Sequence, residues 1–169
     1  MVAHLQAQHR EIETLLDALM AADAETRWPS FDQLRRHLAV HETTEQEIVH
    51  PRAAVELADG AAVVARRLAE ERAIFEVVTA LEATDADSSA FMTGVANLRS
   101  SLLAHMQAEE AMEFAELCIE LGVRQARRMD NATRLAAGDC AIHLPADRTL
   151  SALLTCSRKA IHGGEQVHR

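Results

Sequence analysis

Two stretches of this chain repeat one another, and each puts charge where a helix should be oily. Leu38-Ala39-Val40-His41-Glu42-Thr43-Thr44-Glu45 and Leu102-Leu103-Ala104-His105-Met106-Gln107-Ala108-Glu109 both contain H-x-x-x-E. Residues four apart lie one turn apart on one helix face. In each stretch an imidazole and a carboxylate can therefore reach one cation, or two neighbouring ones. Either pair alone is a weak signal; its placement in the chain gives it meaning.

Apolar residues recur at spacings of four and three along four segments, which is the helical period. Turn signals bound them: Asp23 to Pro29, Asp59-Gly60, Thr84 to Ser89, and Gly122. These cuts predict helices over about 2–23, 30–58, 61–84 and 89–121, with Ser30 and Ser88 or Ser89 as N-caps. Short connections favour antiparallel neighbours, so the expected fold is all-α, an up-down antiparallel four-helix bundle over 1–122. Residues 123–169 form a C-terminal extension. Its basic stretch, Arg124, Arg127, Arg128 and Arg134, predicts a short amphipathic helix broken at Gly138. Leu150, Leu153 and Leu154 predict another, and 159–169 reads as disordered.

The first seam is Leu5, His9, Ile12, Leu16 and Leu19. The second is Leu34, Leu38, His41, Glu45 and Ile48. The third is Val64, Leu68, Glu71, Phe75 and Val78. The fourth is Phe91, Val95, Leu98, Leu102, His105, Glu109 and Met112. Each is apolar except at His or Glu, and the interruptions lie at similar distances from the shared turns. His9, His41, Glu45, Glu71, His105 and Glu109 are thus expected in one core layer. Glu70 exchanges with Glu71 if the phase slips by one residue. Ionised carboxylates are not buried unpaired, and no Lys or Arg lies on these seams. Cations from outside are the natural resolution. Imidazole with carboxylate suits iron or manganese, less often zinc. Six ligands exceed one open tetrahedral site and fit two octahedral ions sharing bridging carboxylates, for which Glu45 and Glu109 are the candidates. The plain alternative is a hydrogen-bonded polar core.

Gln8-His9, His41-x-x-x-Glu45 running on to Val49-His50-Pro51, and His105-x-x-x-Glu109-Glu110 running on to Glu113-Phe114 together resemble the hemerythrin family. The likeness is to its bacterial hemerythrin-like HHE cation-binding domains, and it spans residues 1–120. It implies a non-haem di-iron centre, two irons with an oxo or hydroxo bridge, associated with binding oxygen, nitric oxide or peroxide, or with iron handling. The third helix departs from the oxygen carriers. Where they carry H-x-x-x-H, this chain has Glu71 and Phe75. In the fourth helix they have a more distant Asp, and here Glu109 follows His105 by four. More carboxylate donation favours ferric iron over reversible oxygen carriage.

Net charge of -9 and pI near 5.4 argue against a nucleic-acid partner. No apolar run approaches the ~18 residues of a membrane span, and Met1 to Arg10 carries no signal-peptide core, so a cytoplasmic setting is expected. Cys118, Cys140 and Cys156 are too widely spaced for a disulfide framework, and Cys140-x-x-His143 alone makes no site. His50 is expected at the rim of the site or outside it. His4 and His37 read as surface residues, Glu47 and Glu110 as flanking groups, and Trp28 as a plug at one bundle end. Enzymatic turnover of peroxide or oxidation of iron, an iron reservoir, and a metal-free interaction module are the competing functions. A reductase partner and the oligomeric state are left open.

Overall fold

A computed structural model describes residues 3–144 and 148–164, apart from the side chains of Asp139, Ile142 and His143. The helices are α1 (Ala3–Ala21), α2 (Ala24–Thr44), α3 (His50–Glu56), α4 (Gly60–Glu82), α5 (Ser89–Ala108), α6 (Phe114–His143) and α7 (Leu150–Gly164). π-helical turns at Glu45–Val49 and Glu109–Glu113 join α2 to α3 and α5 to α6 without interruption. Four rods result and form an up-down four-helix bundle. α1 packs on α2 and α5, and α4 packs on α3 and α5.

The rods begin and end for local reasons. Asp23 caps α2: its carboxylate accepts from the Thr26 amide at 3.0 Å and the Thr26 hydroxyl at 2.7 Å. The second helix therefore starts at Ala24 and not near residue 30. Pro29 lies inside it, where it removes one ladder bond close to the helix start. Ser30 is no cap, since its hydroxyl donates back to the Thr26 carbonyl. Trp28 is a partly exposed cover over Phe31 and Arg35, not a plug. Ser88 caps α5 through the Phe91 amide. At Gly122 the backbone turns left-handed (φ 65°) and breaks α6 at the expected stop, and a new helical run follows at once.

Two large apolar clusters fill the interior, and a third, small one of Val40, Ala137 and Cys140 lies between α2 and α6. The larger holds Ile12, Leu16, Leu34, Leu38, Ile74, Val78, Phe91, Leu98 and Leu102. The second holds Leu5, Val49, Ala53, Phe114, Leu117 and Leu121. Along α1 the chain passes from Leu5 in one cluster to Ile12 in the other, with His9 between. The polar layer is thus sandwiched between two dry regions.

The seams hold up to this layer and slip beyond it. A π turn spends an extra residue, so the His50 amide bonds to the Glu45 carbonyl and the Phe114 amide to the Glu109 carbonyl. Ile48 is only half-buried and Met112 is exposed, while Val49, His50, Glu113 and Phe114 turn inward. The third seam is also out of phase. Arg67, Glu71, Ile74, Val78 and Leu81 are its buried residues, and Leu68 and Phe75 sit on its flank. Arg67 overturns the expectation that no cation lies on the seams: it is fully buried, paired with Glu70 and 4.0 Å from Glu113.

The C-terminal extension is more ordered than its composition suggests. α6 runs through Gly138 to His143, so Gly138 does not break it. α7 inserts Leu150, Leu153 and Leu154 into the larger cluster and packs on α2 and α6. Residues 159–164, expected to be disordered, are helical, while 165–169 lie outside the described residues. Among the described residues no helix is long and apolar enough to cross a membrane.

Two glycines should respond oppositely to alanine. A Cβ on Gly60 would lie 2.1 Å from the Ala53 carbonyl oxygen, where α3 turns into α4. Gly60→Ala should cost about 1–3 kcal/mol. Gly138 sits in a helix with open space around its Cβ position, and Gly138→Ala should be neutral or stabilising by up to about 1 kcal/mol. Urea unfolding midpoints check both.

Candidate metal centre

The polar layer resolves into two adjoining groups. In one, His9 of α1, His41 of α2, and Glu45 and Glu109, which each open a π turn, bring their ligand atoms within 4.8 Å of one another. In the other, Glu42 of α2, Glu71 of α4 and His105 of α5 do the same. All seven are buried. Glu109 spans the two groups, with Oε2 3.4 Å from His9 Nε2 and Oε1 3.1 Å from His105 Nε2. Glu45 Oε1 lies 3.7 Å from His41 Nε2 and 4.0 Å from His9 Nε2, and Glu42 Oε2 lies 3.9 Å from His105 Nε2.

The structure therefore brings all six seam residues together and adds Glu42. Seam reading passes over Glu42 because residue 42 is about 100° around the helix from His41. On a bundle helix that face is normally solvated. Here α6 and α7 cover α2 from outside, so every residue from Leu38 to Glu45 is buried. The signal that could have found it is the run His41-Glu42-Thr43-Thr44-Glu45, with carboxylates three apart.

Each imidazole is oriented from behind. His9 Nδ1 donates to Glu110 at 2.8 Å, His41 Nδ1 to Gln8 Oε1 at 3.3 Å, and His105 Nδ1 to Glu70 at 3.0 Å. These bonds orient the rings and aim each Nε2 into the layer. There His9, His41 and His105 Nε2 find no hydrogen-bond partner, and neither does any carboxylate oxygen of Glu42, Glu45 or Glu109. Such a cluster of buried ring nitrogens and carboxyl oxygens without hydrogen-bond partners is what bound cations would satisfy. The donor set, imidazole nitrogen with carboxylate oxygen, fits iron or manganese.

The titration behaviour follows. Burial, with His9 beside it, holds His41 well below the usual imidazole range, neutral as a ligand must be. Burial and the Glu109 charge push Glu45 well above the carboxylate range. Burial and the Glu71 charge raise Glu42 to about 8. Burial works against the charge on Glu109, yet the His105 and His9 rings beside it hold it well below the usual carboxylate range. Burial likewise opposes charge on His105, but Glu109 and Glu42 lift it to about 10.

Glu71 differs from the other carboxylates. Its Oε1 lies 2.7 Å from His50 Nε2, and its Oε2 accepts from the Gln46 amide. His50 is not at the rim. The π turn carries it into the core, where Nδ1 meets Glu113 at 2.9 Å. Burial would lower its pKa, but Glu113 and Glu71 raise it to about 10. Glu110 is part-exposed behind His9, Glu47 pairs with α7, and His37 pairs with Glu11 at 3.3 Å. The buried Cys140 thiol donates to the Ser157 carbonyl, and the side chain of His143 lies outside the described residues. Two clefts reach the supports of the imidazoles: one of about 410 Å³ touches Gln8 and His37, and one of about 560 Å³ touches Glu110 and Met106.

The sequence profile described as the Hemerythrin HHE cation binding domain matches residues 1–117. Among solved structures, the fold is similar to that of a hemerythrin HHE cation binding domain-containing protein from Mycobacterium kansasii. The TM-score is 0.72 at 21% identity, over 92% of this chain and 98% of that one. At that identity the likeness is one of fold. No curated protein matches.

The groups with raised values share one sign. His50 and His105 have folded pKa values near 10, above the unfolded 6.5, so their contribution is present below 6.5 and lost as pH rises toward 10. Glu42, raised from 4.5 to about 8, also favours the folded state less as pH climbs through that interval. Metal-free protein should therefore melt at progressively lower temperature from pH 6.5 to 10, and cation loading should flatten the trend. Thermal melts across pH, with and without chelator, check this.

Proposed function

Because the chain belongs to the hemerythrin HHE cation-binding family, we propose that its buried layer holds two cations as a non-haem di-iron centre. The centre binds or reacts with oxygen, nitric oxide or peroxide, in sensing, scavenging or redox protection in the cytoplasm. The observation that carries this reading is the convergence of three buried imidazole nitrogens and three buried carboxyl groups whose facing atoms have no hydrogen-bond partner. His9, His41, Glu45 and Glu109 would hold one cation. Glu42, Glu71 and His105 would hold the other, sharing Glu109, which turns one oxygen to each group.

Iron bound there supplies Lewis acidity and one-electron redox capacity. The chain's own residues do the rest. Gln8, Glu110 and Glu70 orient the imidazoles and raise their basicity. Leu5, Leu38, Leu102 and Phe114 keep bulk water from the layer, and Phe114 stacks on the His9 ring at 5.7 Å. The clefts lined by Gln8 and by Glu110 reach the groups that support His41 and His9, and offer a small molecule routes toward the layer.

Elemental analysis of iron-loaded protein should find near two irons per chain. Glu109→Ala should lose both, because it serves both groups, whereas His41→Ala should keep one. Glu42→Ala should weaken the second cation by at least the 10–100-fold or so that outer-shell changes cost. Absence of stoichiometric metal in the unaltered protein would sink the reading. Steady peroxide turnover by the loaded protein, lost in His105→Ala, would make the site an enzyme's.

A further inference from the structure

Glu71 is the one carboxylate of the two groups whose oxygens are both engaged by protein donors, His50 on one and Gln46 on the other. The Gln46 grip is itself held from outside. Its Oε1 accepts from Arg158 Nη2 at 2.6 Å, which leaves its NH2 facing Glu71. Arg158 belongs to α7, beyond the 1–117 span of the family match. The helix is firmly seated. Leu150, Leu153 and Leu154 are buried, the Leu150 amide donates to Glu82, and the Ser157 carbonyl accepts from Cys140. Arg158 Nε also lies 3.5 Å from Glu47, and His162 Nε2 lies 3.1 Å from the same carboxylate. Gln46 and Glu47 are consecutive residues of the first π turn.

We propose that α7 is a positioning element for the second cation, acting through Arg158, Gln46 and Glu71. The inference rests on the two-cation reading above. An amide side chain has two orientations, one offering NH2 to Glu71 and one offering oxygen. The second sets oxygen against carboxylate. Arg158, a cation with donors only, selects the first. It thereby holds a ligand two hydrogen bonds away in the geometry it needs. Arg158 is 44% exposed, and exposed ion pairs add little stability. Its effect should therefore appear in how the second cation is held and not in the melting of the fold.

The test uses full-length protein loaded anaerobically with ferrous iron, and follows its release to a chromophoric chelator alongside the thermal melt of the metal-free form. Arg158→Ala and Gln46→Leu should speed the loss of one iron about tenfold or more, leaving the other iron and the metal-free melt near those of the unaltered protein. Arg158→Lys should restore slow release in part. His162→Ala loosens α7 from Glu47 but spares the Gln46 bond, and should release both irons at the normal rate. Unchanged release in Arg158→Ala overturns the proposal. So does equal acceleration of both irons with an equal effect in His162→Ala, which would mean that α7 merely braces the fold. An unaltered protein that binds no iron would instead remove the two-cation reading, and this inference with it.

Discussion

Everything in this molecule is arranged around a set of buried carboxyl oxygens and ring nitrogens that face one another without hydrogen-bond partners in a dry interior. Buried carboxylates with no donor are among the costliest arrangements a fold can contain. Here Glu42, Glu45 and Glu109 lie together in one layer, walled by aliphatic and aromatic side chains on both sides. The two large apolar clusters supply the stability that makes such a layer tolerable. The layer in turn divides the core, so the bundle has two hydrophobic halves and not one continuous column. Charge balance from outside would join them.

The π turns are the backbone's share of the work. Placed directly at Glu45 and Glu109, each shifts the inward face by one residue immediately past the layer. That shift carries His50, Glu113 and Phe114 into the core. His50 and Glu113, one from each rod, bond to one another and close the side of the layer next to Glu71. A regular helix through these positions would have pointed Ile48 and Met112 inward, giving more grease and fewer polar supports.

These two effects also mark how far the sequence could be read. The aliphatic positions of α1 and α5 follow the helical period without fault, because both helices are solvated on one side and packed on the other. The polar layer was legible for the same reason: a His or Glu on an otherwise apolar seam is conspicuous. Glu42 was not, because the covering of α2 by α6 and α7 is a tertiary fact that no local period carries. His50 and Met112 were misplaced because nothing in the 4-and-3 spacing announces an inserted residue. Arg67 was missed through a phase slip on α4, where alternative apolar stripes through Leu68 and Phe75 compete with the buried one. Gly122 was read correctly as a stop. Gly138 was not a break, since glycine in a helix interior is a modest penalty that packing overrides.

The matched π turns give the bundle an approximate internal two-fold relation: α2 answers to α5, Glu45 to Glu109 and His41 to His105. The relation breaks at the other two rods, where α1 offers an imidazole at His9 and α4 a carboxylate at Glu71. Two cations held there would not be equivalent. The one beside His9 and His41 would meet the softer, more nitrogen-rich surroundings. The one beside Glu42 and Glu71 would meet the harder, more anionic ones. The layer thus carries a built-in polarity, running from its nitrogen-rich side at His9 and His41 to its carboxylate-rich side at Glu42 and Glu71.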